Sequence, residues 1–290
     1  ETNWVPPAVL RGVEIIERED ISVIYTTTPP HSTHLVGLLC KMLTGVPWVA
    51  DFRDTWLKNG VFVPERGMKK WLHEKLEGMV VGGSDRVVAN TEYALNEFRE
   101  RYPQYTDKFA CLPNGFDPED FQERQEVGQR KNEKLILTHI GSVGEGRSLD
   151  AFFQALEQFL VEMPEAKDNM KVLFVGPGDQ RVKRILNSSN LKDVVSTTSS
   201  VTHQEAIRHM LESDVLLLFA FKHHGPAMVP AKLYEYLGAG KPVLALGCEG
   251  AAADLVRSAN SGYLIAENDV GRIKRAIHEL YQKHRYHEMH

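Results

Sequence analysis

The pattern of this sequence predicts an α/β protein made of two parallel-sheet lobes, the first of them incomplete. Three observations carry that reading. Short β-branched runs alternate with helix-length amphipathic stretches along almost all of the 290 residues. The strand candidates are apolar on both faces, as in parallel sheets covered by helices. One polar stretch near the middle interrupts the alternation and marks a join between lobes.

Taken in order, Pro7 suits the first turn of a helix that runs to Glu17. Strands are predicted over residues 21–26, 47–52 and 86–90 of the first lobe. In the second they fall at 134–140, 171–175, 194–197, 214–220 and 242–246. Helical patterns lie between them at 31–43, 68–79, 92–101, 149–163, 203–212 and 230–237. The stretch 113–133 is polar, charged and poor in β-branched residues. The lobes are therefore placed at 1–118 and 134–290, with 119–133 as the linker. Lys134 opens an apolar strand that ends in Gly141, like the first strand of a Rossmann unit. The second lobe is expected to hold five or six strands, the first only three or four. The chain opens without the strand that normally starts such a lobe, so the first lobe is expected to lack its beginning.

Composition narrows the function. With 42% apolar and 25% charged residues the chain is of ordinary globular make-up. A net charge of -5 argues against a nucleic-acid partner. Cys40, Cys111 and Cys248 lie far apart without a CxxC pair, which points to a reduced, cytoplasmic setting and no zinc site. The longest apolar run, 215–221, has the length of a buried strand and not of a membrane span. Residues 66–76 form an amphipathic pattern, with Met68, Trp71 and Leu72 beside Lys69, Lys70 and Lys75. Such a helix lies on an anionic membrane or packs its apolar side on a sheet, so peripheral contact with the inner membrane face stays open. His284, His287 and His290 read as a solvated tail; no metal and no cofactor are expected.

In an open parallel sheet, ligands bind beyond the carboxyl ends of the strands, where helix N-termini attract phosphate. Residues 141–147 (Gly-Ser-Val-Gly-Glu-Gly-Arg) sit at such a place. Their glycines permit close backbone approach, and Arg147 is suited to clamp a diphosphate in bidentate fashion. The alternative is a turn with a solvated arginine. Residues 175–179, with Gly176 and Gly178, repeat the form; there Asp179 alternatively caps the next helix. In 229–246, Pro230 suits a helix start, and Lys232 and Glu235 share one face three residues apart. A carboxylate held there can accept both ribose hydroxyls while Lys232 faces phosphate. Otherwise the two are a surface pair worth a few tenths of a kcal/mol.

The segment 232–242 resembles the second half of the nucleotide-sugar signature of the retaining GT-B glycosyltransferases of family 4. Residues 85–91, the Leu-Pro-Asn-Gly-Phe-Asp stretch at 112–117, residues 139–142 and Arg147 resemble further family segments in the same order. The resemblance spans about residues 20–280. It implies two Rossmann-like lobes of GT-B type. Glu235 would hold the donor ribose and Arg147 the diphosphate, with Gly141 giving close backbone approach. Ser142, Gly176, Gly178, Lys232 and Leu233 complete the donor set. Two positions depart from the family: Ala227 stands where a sugar-contacting glutamate is frequent, and Ser142 where a basic residue is. In the first lobe, 26–34 and 50–56 resemble the acceptor edge of enzymes that build bacterial surface glycans. Asp51, Arg53 and Asp54 are then the catalytic candidates, binding or polarising an acceptor hydroxyl, or else a network that orders a loop. His31 and Asn114 join them on the acceptor side, although His31 and His34 alternatively cap the helix they begin. The implied reaction moves a sugar from a nucleoside diphosphate sugar, such as a UDP-sugar, to a glycan or lipid-linked acceptor, with retention and without metal. A GT-B nucleotide-sugar epimerase and a non-catalytic nucleotide-sugar-binding protein are the alternatives.

Overall fold

Strands apolar on both faces pair in parallel and leave their helices to cover the sheet; every strand pair among the described residues is parallel. The computed structural model describes residues 3–57, 67–122, 132–143, 148–177, 180–188, 191–219 and 225–288. The chain divides into two units, Glu1–Asn114 with His223–Val229, and Gly115–Lys222 with Pro230–His290. The linear reading kept all of 134–290 in one lobe. Residues 225–229 instead pack with the first unit, where Ala227 lies against its core and the Thr91 hydroxyl donates to Ala227 O (2.9 Å).

The first unit holds β1 (Ile24–Thr28), β2 (Trp48–Phe52), β3 (Arg86–Ala89) and β4 (Phe109–Cys111), in that order across one sheet. Its helices are α1 (Val5–Arg18), α2 (Ser32–Thr44), α3 (Met68–Gly83) and α4 (Glu92–Arg101). The sequence pattern missed β4, which is three residues long and follows a 3-10 turn, Pro103–Lys108. Trp48, wholly buried on β2, organises this core. Its indole N–H donates to Thr26 Oγ1 (2.8 Å), and the same hydroxyl shares a hydrogen bond with His34 Nδ1 (2.8 Å). Burial pushes the His34 pKa down to about 3, so the ring is neutral. Neither His31 nor His34 caps α2 through its side chain, so the capping alternative is overturned: both rings turn into the fold.

The second unit is a doubly wound sheet in the order β10-β9-β8-β5-β6-β7. Its strands are β5 (Leu135–Ile140), β6 (Met170–Val175), β7 (Val195–Thr198), β8 (Val215–Phe219), β9 (Val243–Leu246) and β10 (Gly262–Ile265). Between them run α5 (Ser148–Glu162), α6 (Ala166–Asn169), α7 (Gln180–Ser188), α8 (His203–Glu212), α9 (Ala231–Ala239), α10 (Gly250–Ser258) and α11 (Val270–Arg285). The chain starts at β5, builds outward to β7, then returns to β8 on the other side. That reversal puts a crevice between the ends of β5 and β8. The C-terminal histidines are not simply a solvated tail. Ile273, Ile277, Leu280 and Tyr281 bury one face of α11, and this carries His284 inward, where its ring donates to Asn132 O (3.1 Å).

Gly37 is where α2 meets β2. A Cβ at this position would lie 2.4 Å from Trp48 Nε1 and 2.8 Å from Thr26 Cγ2. Gly37→Ala therefore displaces the indole and breaks the Trp48–Thr26–His34 chain. The expected loss is about 1–3 kcal/mol, read as a lower midpoint in urea unfolding followed by tryptophan fluorescence; an unchanged midpoint contradicts the packing described.

Candidate functional site

Strands β5 and β8 pair only through Leu137 with Val215 and Thr138 with Leu216. Beyond that point they part, and backbone groups there need other partners. Side chains supply them. The Tyr236 hydroxyl, wholly buried on α9, accepts from Ile140 N–H (2.9 Å) and donates to Leu217 O (3.3 Å). His139 Nδ1 donates to the same carbonyl (2.9 Å). In the neutral ring Nε2 then carries the lone pair; Lys232 Nζ stands 3.4 Å from it and Ser142 O 3.2 Å. Burial, then the nearby Lys232 charge, drives the His139 pKa down to about 3, so the ring is neutral across the physiological range.

Lys232 Nζ also donates to Ser142 O (3.1 Å), which ties α9 to the turn after β5. The turn tolerates no side chain at its closest approach. Gly176 adopts φ 152°, and a Cβ there would fall 2.8 Å from Gly141 O. Gly141 itself has φ 89°, with Lys232 Nζ 3.1 Å from where its Cβ would be. The ends of β5 and β6 thus meet backbone to backbone, with the Gly141 amide donating to Val175 O (2.7 Å). Burial lowers the Lys232 pKa to about 8, partly opposed by the charge of Glu235.

Glu235 lies one turn along α9, with about a third of its side chain exposed; its Oε1 is 3.9 Å from His203 Nδ1. The other ring nitrogen, Nε2, is 3.0 Å from Asp120 Oδ2, and that hydrogen bond is the main cause of a raised His203 pKa. The sequence reading did not single out His203 or Asp120. The Thr202–Glu205 capping box marks where α8 starts, so it was a signal for His203 in the first turn. Nothing local marked Asp120. Two of the sequence motifs do meet. A Cβ on Gly238 would lie 2.7 Å from Phe116 and 2.9 Å from Phe121, so the phenylalanine of residues 112–117 packs on the signature helix.

The remaining candidates are distributed unevenly. Leu233 is wholly buried on α9, and its amide donates to Pro230 O (2.9 Å). Arg147 and Gly178 lie outside the described residues. Ser142 is exposed and offers its carbonyl to Lys232. In the first unit, Asp51 is buried and accepts from the Thr27 hydroxyl (2.9 Å), whereas Arg53 is exposed and its carbonyl accepts from Asn90 Nδ2 (2.8 Å). Arg53, Asp54, Thr55 and Asn90 border a cavity of about 20 Å³, room for a single water. His31 stacks on Trp56 (centroids 4.8 Å apart, planes 7° apart), and burial lowers its pKa to about 4. Trp56 in turn donates to His73 Nδ1 on α3 (2.8 Å). Asn114, half-buried, is the last residue of this unit's first segment.

A doubly wound sheet whose strand ends carry glycine turns, a lysine and a carboxylate defines a nucleotide-binding class of fold. Residues 134–283, more than half the chain, match the family described as "Glycosyl transferases group 1", and residues 3–115 match the "Glycosyl transferase 4-like domain". The chain belongs to this glycosyltransferase family. It is 22% identical over 256 residues to D-inositol 3-phosphate glycosyltransferase 2 of Catenulispora acidiphila, covering 83% of this chain and 58% of that one. To a putative teichuronic acid biosynthesis glycosyltransferase of Bacillus subtilis it is 23% identical over 223 residues, 71% of this chain and 52% of the relative. The chain thus spans little more than half the length of these curated relatives. Among solved structures it is similar to Anabaena HepE in complex with UDP, with a TM-score of 0.69 at 16% identity, over 98% of this chain and 76% of that one. The fold is GT-B.

Tyr236→Phe tests the bridge between β5 and β8. It removes one hydroxyl and leaves the Ile140 N–H buried without its partner, at a cost of about 1–3 kcal/mol. Chemical denaturation of the variant should show a lower stability of that size, and hydrogen exchange at Ile140 should speed up; equal protection in both proteins would show that the hydroxyl is dispensable.

Proposed function

We propose that this chain belongs to a glycosyltransferase that moves a sugar from a nucleoside diphosphate sugar to an acceptor hydroxyl in bacterial surface-glycan synthesis, with retention and without metal. One observation carries the donor half of this reading: Lys232 Nζ stands at the Gly141–Ser142 turn, at the sheet reversal, with Glu235 one turn away on the same helix. A diphosphate placed against that turn meets a cation whose hydrogen bonds run to a neutral carbonyl and a neutral imidazole. A ribose beside it reaches the Glu235 carboxylate, which accepts both hydroxyls. Stabilisation of the leaving diphosphate is electrostatic, by Lys232, by Arg147 and by the start of the helix that follows the turn. The names of the two relatives, one acting on an inositol phosphate and one in teichuronic acid synthesis, support a polyhydroxylated acceptor. Asp51, Arg53, Asp54, His31 and Asn114 are the acceptor-side candidates; exposed Arg53 is the member best placed to contact an acceptor.

Glu235→Ala should weaken UDP binding at least tenfold, since hydrogen bonds to a charged group are worth about 1.5–3 kcal/mol, with unfolding unchanged. Calorimetry giving equal affinities in a folded variant would remove Glu235 from the site.

Lys232 makes a pH prediction. Its pKa in the free protein is about 8 because burial disfavours the ammonium form. A bound diphosphate favours that form and raises the pKa, so above pH 8 binding takes up a proton. Affinity for a UDP-sugar should therefore be level from pH 7 to 8 and fall as pH rises further, by up to about tenfold per unit. Lys232→Arg, which stays charged, should abolish the fall. A profile flat to pH 9 in the wild-type protein would separate Lys232 from the phosphates.

A further inference from the structure

The carboxylate assigned to the ribose has two neighbours that are themselves firmly held. A short 3-10 turn, Pro118–Phe121, packs against both α8 and α9. Pro118 opens it, the Asp117 side chain accepts from Glu119 N–H (2.9 Å), and Phe121 is buried against Gly238 of α9. The turn therefore presents Asp120 at a set place. Asp120 Oδ2 lies 3.0 Å from Nε2 of His203, in the first turn of α8, where the Thr202–Glu205 capping box fixes the backbone. An ionised carboxylate only accepts, so Nε2 carries a proton. The other ring nitrogen, Nδ1, is 3.9 Å from Glu235 Oε1 on α9. It is a lone pair in the neutral ring and a donor in the charged one. The Asp120 hydrogen bond first, with the charge of Glu235 behind it, raises the His203 pKa and favours the charged ring.

We propose that His203, oriented by Asp120, is a positioning residue that holds Glu235 for the ribose and makes the site selective for ribonucleotides over deoxyribonucleotides. This rests on the transferase reading, in which Glu235 accepts both ribose hydroxyls. About a third of the Glu235 side chain is exposed, and a glutamate in such a setting is free to change rotamer unless a neighbour restrains it. A gap of 3.9 Å is too long for a hydrogen bond. The ring therefore steers the carboxylate by charge and leaves its lone pairs to hydroxyl donors. A diol uses that order fully, and a sugar with one hydroxyl uses it less.

The test is calorimetric affinity of the full chain for UDP and for 2′-deoxyuridine diphosphate at one pH. The wild-type protein should favour UDP by at least about tenfold. His203→Ala should cut that preference by about threefold, the scale of an exposed charge pair. The loss should fall on UDP, with the deoxy compound near its wild-type affinity and the unfolding transition unchanged. Asp120→Asn, which keeps the shape of the side chain and removes its charge, should act in the same direction. His203→Arg, a permanent cation between the same two carboxylates, should restore the preference. In a Glu235→Ala background, His203→Ala should change neither affinity, because the ring acts through Glu235. Equal losses for the two nucleotides, a full preference in both His203→Ala and Asp120→Asn, or the same loss in the Glu235→Ala background would each overturn the proposal and leave Glu235 at the ribose. A Glu235→Ala protein that binds UDP as tightly as the wild type would instead remove the donor reading itself, and this proposal with it.

Discussion

The parting of β5 and β8 is the constraint on which the candidate donor site depends. A chain that builds its sheet outward from one strand and then returns to the other side must leave two neighbouring strands with crossovers running away from each other. Their ends separate, and the backbone groups there lose the ladder that serves the rest of the sheet. Ile140 N–H and Leu217 C=O are such groups, and Tyr236 and His139 satisfy them from inside the fold. Tyr236 is four residues after Lys232, so the two project from one side of α9. Fixing the hydroxyl between the strands fixes the ammonium at the turn after β5. Glu235, rotated about 60° from Lys232 around the same helix, then faces the partly exposed rim near His203. The donor candidates are in register because a structural requirement of the sheet holds the helix that bears them.

The electrostatics of this corner follow from the same packing. His139 is buried and spends its one proton on Leu217 O, so it offers Lys232 a lone pair and no charge. Lys232 is solvated by that lone pair and by a carbonyl, and its depressed pKa reflects burial that Glu235 only partly offsets. A cation held this way has given up water without gaining a close carboxylate, and an entering anion recovers that energy. Around Glu235 the arrangement is reversed. His203 stands between two carboxylates, Glu235 and Asp120, and Asp120 holds it by hydrogen bond. The carboxylate therefore keeps an exposed position where neutral hydroxyls can reach it.

Much of the architecture was legible in the sequence because its signals are local. Apolar runs of four to seven residues marked the strands, and glycines after them marked the turns. Among the described residues the second sheet has six strands, at the upper end of the expectation, and the first has four. What escaped was short or long-range. Strand β4 has only three residues, and β10 is four residues with just one of them buried, so neither shows the continuous apolar run of the other strands. The second begins at Gly262, where φ is 149° and a Cβ would strike Val243 O at 2.0 Å. The histidines were misread for a different reason. Their ring polarity suggests caps and tails, but whether a ring is buried depends on partners far along the chain: Trp48 and Phe52 for His34, Trp56 for His31, Asn132 for His284. Helix α3 was visible as amphipathic, yet its period alone did not tell which face the sheet takes: Glu77, Val80 and Val81 are buried, and Met68, Trp71 and Leu72 stay exposed.

Ala227 shows how a departure from a family pattern acquires a physical meaning. At this position the segment leaves the second unit's sequence and packs with the first: the side chain lies against an apolar cluster that includes Phe52 and Phe98, and the carbonyl is held by Thr91. The same Thr91 oxygen accepts from Ala94 N–H and so caps α4. Ala227 is itself only half-buried, and it also borders the small cavity lined by Arg53, Asp54 and Asn90. Alanine fits, keeps the backbone bond to Thr91, and preserves the helix start that depends on it. It also has no polar group with which to contact a sugar. On the transferase reading, any discrimination between donor sugars falls to backbone groups or to other side chains.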